Sequence, residues 1–128
     1  MTDGDRRRVD VPCVLVVDDD PAFRGLACRL LTAEGLAVVG EADGVATGLA
    51  AARALRPDGA LVDMRLGDGD GLALARDLLA LPWRPRVILT SSHPDAVSAD
   101  DVRRSGAGGF FPKDQLPDAP LKLLFSQR

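Results

Sequence analysis

The stretch Val14-Leu15-Val16-Val17-Asp18-Asp19-Asp20-Pro21 decides the fold, because an unbroken apolar, mostly β-branched run stops at three carboxylates and a proline. Four apolar residues without polar alternation suit a strand covered on both faces, the condition of a parallel sheet flanked by helices. Asp20 then serves as N-cap of a helix with Pro21 at its first position, where the missing N–H costs little. One helix needs one cap, so Asp18 and Asp19 require another explanation: a buried strand delivers them to its carboxyl end.

Outward from that stretch the same pattern recurs. Phe23, Leu26, Ala27, Leu30 and Leu31 return at helical spacing over residues 21–34, and Gly35 ends that helix. Ala37–Ala42 is a second apolar run, after which Asp43 is expected to cap a helix carrying Val45, Leu49 and Ala52, broken by Arg56-Pro57-Asp58. Gly59-Ala60-Leu61-Val62-Asp63 again runs apolar into an acid. The glycine-rich residues 67–71 read as a mobile loop, with Asp70 capping a helix over 71–81.

After a turn at 82–85, Arg86-Val87-Ile88-Leu89-Thr90-Ser91 runs apolar into hydroxyls. A helix over about residues 95–104 has only Ala96, Ala99 and Val102 as its apolar face and should be the least firmly held. Gly106-Ala107-Gly108-Gly109 turns the chain into Phe110-Phe111-Pro112-Lys113, a short strand ending in an amine. Leu121, Leu124 and Phe125 stripe a last short helix that Pro117 and Pro120 keep from starting earlier. Five strands alternating with five helices predict an α/β fold, a (βα)5 doubly wound parallel sheet with right-handed crossovers.

Composition bounds the function. A chain of 128 residues suits one domain, and 46% hydrophobic with 27% charged residues is ordinary for a globular protein. Sixteen basic against nineteen acidic residues give a net charge of −3, and one Trp, four Phe and no Tyr leave little for a base-stacking platform. Nucleic acid and membrane surfaces are therefore not expected partners. No apolar run reaches the ~20 residues of a membrane span and the start has no apolar signal core, so the expected location is the cytoplasm. Residues 1–11 are polar and aperiodic, a flexible leader with Arg6-Arg7-Arg8 as a solvated cluster; residues 12–128 form the domain. Cys13, Cys28 and the single His93 have no metal-ligand spacing; the cysteines read as small packing residues, His93 as a surface loop residue and Trp83 as packing at the far end of the sheet.

In parallel α/β sheets ligands bind outside the carboxyl ends of the strands. Asp18-Asp19, Asp63, Thr90-Ser91 and Lys113 end four of the five strands and so converge on one pocket. Two carboxylates 4 Å apart repel by about 4 kcal/mol at an effective dielectric near 20. Relief comes from protonation or from a hard divalent cation held by oxygen ligands, of which Mg2+ fits best. With Lys113 as a further positive charge and Thr90 as a hydroxyl donor, the set suits a phosphoryl group placed on an acid. Asp63 stands singly before a glycine-rich loop and is the expected acceptor; Asp18 and Asp19 are expected to hold the metal, and Thr90 and Lys113 to sense the phosphate.

These residues resemble the receiver domains of bacterial two-component response regulators. VLVVDDDP, ALVDMRLGDGDG, VILTSS and GAGGFFPK occur in that family's order and near its intervals, from Cys13 to Phe125. The resemblance implies a flavodoxin-like strand order 2-1-3-4-5 and Mg2+-dependent transfer of a phosphoryl group from a histidine kinase or phosphotransfer protein to Asp63. It implies a metal site of Asp18, Asp19, Asp63 and the Arg65 backbone carbonyl. It also implies a switch in which Thr90 is drawn toward the phosphate and Phe110 changes rotamer, altering the face of helix 4, strand 5 and helix 5 for a downstream protein target. Phe110 has no phenolic hydroxyl, so such a switch rests on packing. The family usually carries proline directly after the lysine; here Asp114 follows and Pro112 precedes. With nothing after Arg128, the expectation is a stand-alone receiver, a monomer or weak dimer, acting as phosphoacceptor rather than as an enzyme. Two rival readings are a receiver-like binding module that works without phosphorylation, and a haloacid-dehalogenase-like phosphatase using the Asp18-Asp19-Asp20 spacing. The latter needs an acidic strand after the lysine and leaves Asp63 idle.

Overall fold

The computed structural model describes residues 11–126; the expected leader and its arginine cluster lie outside them, save Val11. Five strands, β1 (Cys13–Val17), β2 (Ala37–Ala42), β3 (Gly59–Asp63), β4 (Arg86–Ser91) and β5 (Gly109–Pro112), form one parallel sheet in the order β2-β1-β3-β4-β5. The helices are α1 (Pro21–Ala33), α2 (Val45–Leu55), α3 (Gly71–Leu79), α4 (Ala99–Ser105) and α5 (Leu121–Ser126). The flavodoxin-like order implied by the resemblance is thus the order observed.

Alternate residues of the same strands feed two cores, which is why the strands read as unbroken apolar runs. Leu15, Val17, Ala60, Val62, Val87 and Leu89 pack on α2 and α3, while Val14, Val16, Leu61 and Ile88 pack on α1 and α5. Each fully buried Leu or Val contributes about 1.5–3 kcal/mol relative to exposure. Leu116 and Ala119, in and just after a 3-10 turn over Lys113–Asp118, fill the second core ahead of α5.

Four local expectations need correction. Asp43 does not cap α2: the N-cap residue is Gly44, and the Asp43 carboxylate instead accepts from the Thr47 hydroxyl at 2.9 Å. Residues 67–71 are no free loop, because Arg65–Leu66 and Gly69–Asp70 pair as a two-rung antiparallel ribbon, left outside the strand numbering. The helix expected from about 95 is a 3-10 turn, Pro94–Ala96, followed by a shorter α4 in which Ala99 is exposed. Leu26 is 39% exposed, since α1 turns a narrower stripe of Phe23, Ala27 and Leu31 toward the sheet.

Strand register sets the site. Val17, Val62, Leu89 and Phe110 stand level across the sheet. One residue further along come Asp18, Asp63 and Thr90, a row of polar groups at the carboxyl edge, with the apolar Phe111 beside Thr90. Trp83 lies at the opposite, amino edge, its indole N–H donating to the Pro57 carbonyl at 2.9 Å under the Arg56 guanidinium.

Candidate functional site: an acidic pocket at the carboxyl edge

Asp18 follows β1 and is fully buried, Asp63 ends β3 with 6% exposure, and Asp19 is exposed at the rim. One carboxylate oxygen from each of the three lies within 4.8 Å of the others. Lys113, the first residue after β5, brings its ammonium to 2.8 Å from Asp18 Oδ2 and 3.5 Å from Asp63 Oδ2. Lys113 thus pairs with two of the three acids.

Each acid is held by its neighbours. Asp18 Oδ1 accepts from the Asp20 N–H at 2.8 Å, while Asp20 caps α1 by accepting from Ala22 N–H at 3.0 Å. The Arg65 N–H approaches Asp63 Oδ1 at 3.4 Å. Gly71 lets α3 begin directly against the end of β3, since a Cβ there would come within 2.3 Å of the Asp63 carbonyl oxygen. Burial first, and the Asp18 carboxylate second, push the Asp63 carboxyl up to about 6 against the opposing pull of Lys113 and the Arg65 N–H.

The residues fit a divalent cation on structural grounds. Asp18 Oδ2 is buried and makes no hydrogen bond; its 2.8 Å contact with Lys113 is ionic, outside hydrogen-bond geometry. A charged oxygen so left, beside two further carboxylate oxygens, is a hard-ligand set of the kind that binds Mg2+.

Thr90 is buried beside Asp63 in register, but its hydroxyl donates away from the acids, to the Phe111 carbonyl at 2.8 Å. Phe110 is half-buried against the core on the α2 and α3 side. Asp114 is exposed in the 3-10 turn that follows Lys113.

Three residues escaped sequence reading. The Phe23 ring lies 4.2 Å from the Lys113 ammonium, a cation–π contact that steadies the lysine. Arg24 donates from Nη1 to the Asp18 carbonyl at 2.6 Å and from Nε to Glu41 at 3.1 Å, tying the acidic turn to β2. Asp68 accepts from the Val45 and Ala46 N–H groups at 2.7 and 3.1 Å, which hold its carboxyl below the usual range. Phe23 and Arg24 carried a weak signal, their place in the first turn after the acids; Asp68 carried none, because its partners lie more than twenty residues away.

A doubly wound sheet with three carboxylates and a lysine at its carboxyl edge defines a signalling domain with a phosphoacceptor-type pocket. The chain belongs to the response regulator receiver domain family, whose model matches residues 14–124. It is 43% identical over 105 residues to the DNA-binding transcriptional activator DevR/DosR of Mycobacterium tuberculosis, covering 81% of this chain and 48% of that protein. It is 38% identical over 112 residues to the transcriptional regulatory protein NarL of the same organism, covering 87% of this chain and 52% of NarL. The chain therefore spans about half the length of these relatives. The solved NarL signal receiver domain superposes with a TM-score of 0.77 at 32% identity, covering 92% of this chain and 99% of that one. The response regulator domain of Thermotoga maritima CheB, at 22% identity and a TM-score of 0.80, shares the fold over 92% of this chain and 98% of its own.

Proposed function

We propose that Asp63 accepts a phosphoryl group from a histidine of a kinase or phosphotransfer protein, and that Mg2+ is held by Asp18, Asp19, Asp63 and the Arg65 backbone carbonyl. The observation that carries this reading is the crowding of negative charge: among the described residues, three carboxylate oxygens lie within 4.8 Å of one another, with the Lys113 ammonium paired to Asp18 and Asp63. In the transfer an Asp63 oxygen attacks phosphorus, the phosphorus–nitrogen bond to histidine breaks, an acyl phosphate forms, and the imidazole leaves with a proton. The cation, when bound, neutralises phosphoryl charge as it moves between donor and acceptor. Lys113 shifts from the acids toward the new phosphoryl oxygens, and Thr90 turns from the Phe111 carbonyl to donate to one of them.

Asp63 suits the nucleophile better than Asp18, which is fully buried and already engaged by the Asp20 N–H and Lys113. The same burial disfavours the phosphatase alternative, which would use Asp18. Once Thr90 leaves Phe111, Phe110 repacks and the surface of α4, β5 and α5 changes for a downstream partner. A net charge of −3 favours protein over nucleic acid as the partner of this domain itself. No helix among the described residues is long and apolar enough to cross a membrane, and we place the domain in the cytoplasm, where its kinase would present the phosphohistidine.

Intact mass after incubation with acetyl phosphate or phosphoramidate and Mg2+ tests the reading. One added phosphate is expected on the wild type and none on Asp63→Asn. Undiminished labelling of that variant would move the acceptor to β1.

A further inference from the structure

We propose that Asp68 is a positioning residue for the acceptor pocket: by capping α2 from the loop that follows β3, it fixes Arg65 against the Asp63 carboxylate. The inference rests on the phosphoacceptor reading and extends it to a residue outside the acidic cluster.

The geometry is that of a latch. A helix usually takes its cap from the residue just before it, but here that residue is Gly44, which has no side chain to offer, and Asp43, one position further out, is bonded to Thr47. The Asp68 carboxylate spans two free N–H groups of α2, Val45 at 2.7 Å and Ala46 at 3.1 Å. The contact is close, since a Cβ on Gly44 would lie 2.7 Å from Asp68 Oδ1 and the exposed carboxylate would have to shift to make room for it. Gly44 itself is extended, at φ −160°, ψ −176°, a conformation open to any residue, so backbone strain does not call for glycine there and the one close neighbour of an added Cβ is the Asp68 carboxylate.

Asp68 sits at the tip of the ribbon that begins at Arg65. Arg65 pairs with Asp70 and Leu66 with Gly69. At its base the ribbon is pinned by Asp70, which caps α3 by accepting from Ala73 N–H at 2.8 Å, and at its tip by the latch. Arg65 is therefore held from both ends of a four-residue span, and its N–H is the group that meets Asp63 Oδ1. Without the tip anchor the ribbon would keep its two rungs and the buried Leu66 side chain, while its exposed tip from Gly67 to Gly69 would lose its hold on α2 and leave Arg65 a looser mount. A cap alone would stabilise α2; this one also sets the loop that carries part of the site.

The test is calorimetric titration of the full chain with Mg2+, alongside labelling by phosphoramidate at limiting and saturating Mg2+, for the wild type, Asp68→Ala, Asp68→Asn, Gly44→Ala and the Asp68→Ala/Gly44→Ala pair. Asp68→Ala and Gly44→Ala break the latch from opposite sides. Each is expected to weaken Mg2+ about tenfold, the lower range for a group acting through a ligand's neighbour. Labelling should slow at limiting Mg2+ and recover at saturation, the double variant should be no worse than Asp68→Ala, and Asp68→Asn, which keeps one acceptor oxygen, should fall between. Lower melting temperatures with unchanged Mg2+ affinity would overturn the proposal and leave Asp68 as a cap only. A wild type that takes neither Mg2+ nor phosphate would instead sink the phosphoacceptor reading, and this inference with it.

Discussion

The helices α3 and α4 lie on the same face of the sheet and are held in different ways. Leu74, Ala75 and Leu78 of α3 are completely buried, and its N-cap Asp70 accepts at 2.8 Å. In α4 only Ser105 is buried, Val102 is half-buried, and the Ser98 cap accepts at a longer 3.3 Å. Helix α3 starts against the end of the strand that carries Asp63, whereas α4 follows the strand that carries Thr90. The proposed acceptor is thus mounted on the well-packed part of the domain, and the part proposed to move is fastened by few apolar contacts. Segments of the second kind open at low free-energy cost, which suits a change that must be driven by one phosphoryl group.

The largest expected effect tests this contrast directly. Leu74→Ala should destabilise the protein by about 3 kcal/mol and Val102→Ala by less than about 1 kcal/mol, because a fully enclosed side chain leaves a cavity and a half-exposed one does not. Denaturant unfolding measures both, and native-state hydrogen exchange should show α4 amides opening well before those of α3. Equal losses in the two variants would abolish the contrast.

The well-packed part carries a cost of its own, the crowding of charge around Asp63. Its carboxyl is raised to about 6, chiefly by burial and then by Asp18, against about 3.9 in an unfolded chain. Between those values the folded state binds the proton more tightly, so without Mg2+ stability is greatest at the acid end of that window and declines as pH rises to 6. The whole shift corresponds to about 3 kcal/mol, and solvent at the pocket mouth reduces the expected loss to about 1–2 kcal/mol. Asp63→Asn has no charge to lose. Its melting temperature in chelator should exceed that of the wild type at pH 7, the difference should vanish near pH 4, and Mg2+ should narrow it. Parallel curves across that window would show the acids to be uncrowded.

Features set by neighbours in the chain were legible in the sequence. The strands announced themselves as apolar runs ending in polar groups, and Asp20 and Asp70 were readable as caps because each bonds within three residues of itself. The convergence of Asp18, Asp63 and Lys113 followed from the rule that binding groups sit at the carboxyl edge of such sheets. Features set by distant partners were not legible. Asp43 was expected to cap α2, but the N-cap position falls on Gly44 and the first N–H groups of the helix bond to Asp68, a partner no local pattern records. Thr90 was expected to face the acids, yet a carbonyl on the neighbouring strand takes its hydroxyl. Of the face expected from Ala96, Ala99 and Val102, Ala96 falls in the 3-10 turn and Ala99 is exposed, because two alanines supply too little surface to hold a longer helix on the sheet.

Thr90→Val gives the smallest effect and the finest division between the two regions. Valine keeps the shape and removes the donor, leaving the Phe111 carbonyl without the 2.8 Å bond that joins the ends of β4 and β5. The expected cost is about 1 kcal/mol, the net worth of one hydrogen bond with part of the penalty for an unsatisfied carbonyl. The location of the loss matters more than its size. Exchange should quicken in β5 and α4 and stay unchanged in α3, while Mg2+ affinity should match the wild type, since Thr90 donates away from the three acids. Thr90→Ser, which retains the hydroxyl, should recover the β5 protection. If Thr90→Val instead weakened Mg2+ binding with β5 undisturbed, the hydroxyl would belong to the pocket before any phosphate arrives, and the boundary between the fixed and the moving part would have to be drawn on the other side of β4.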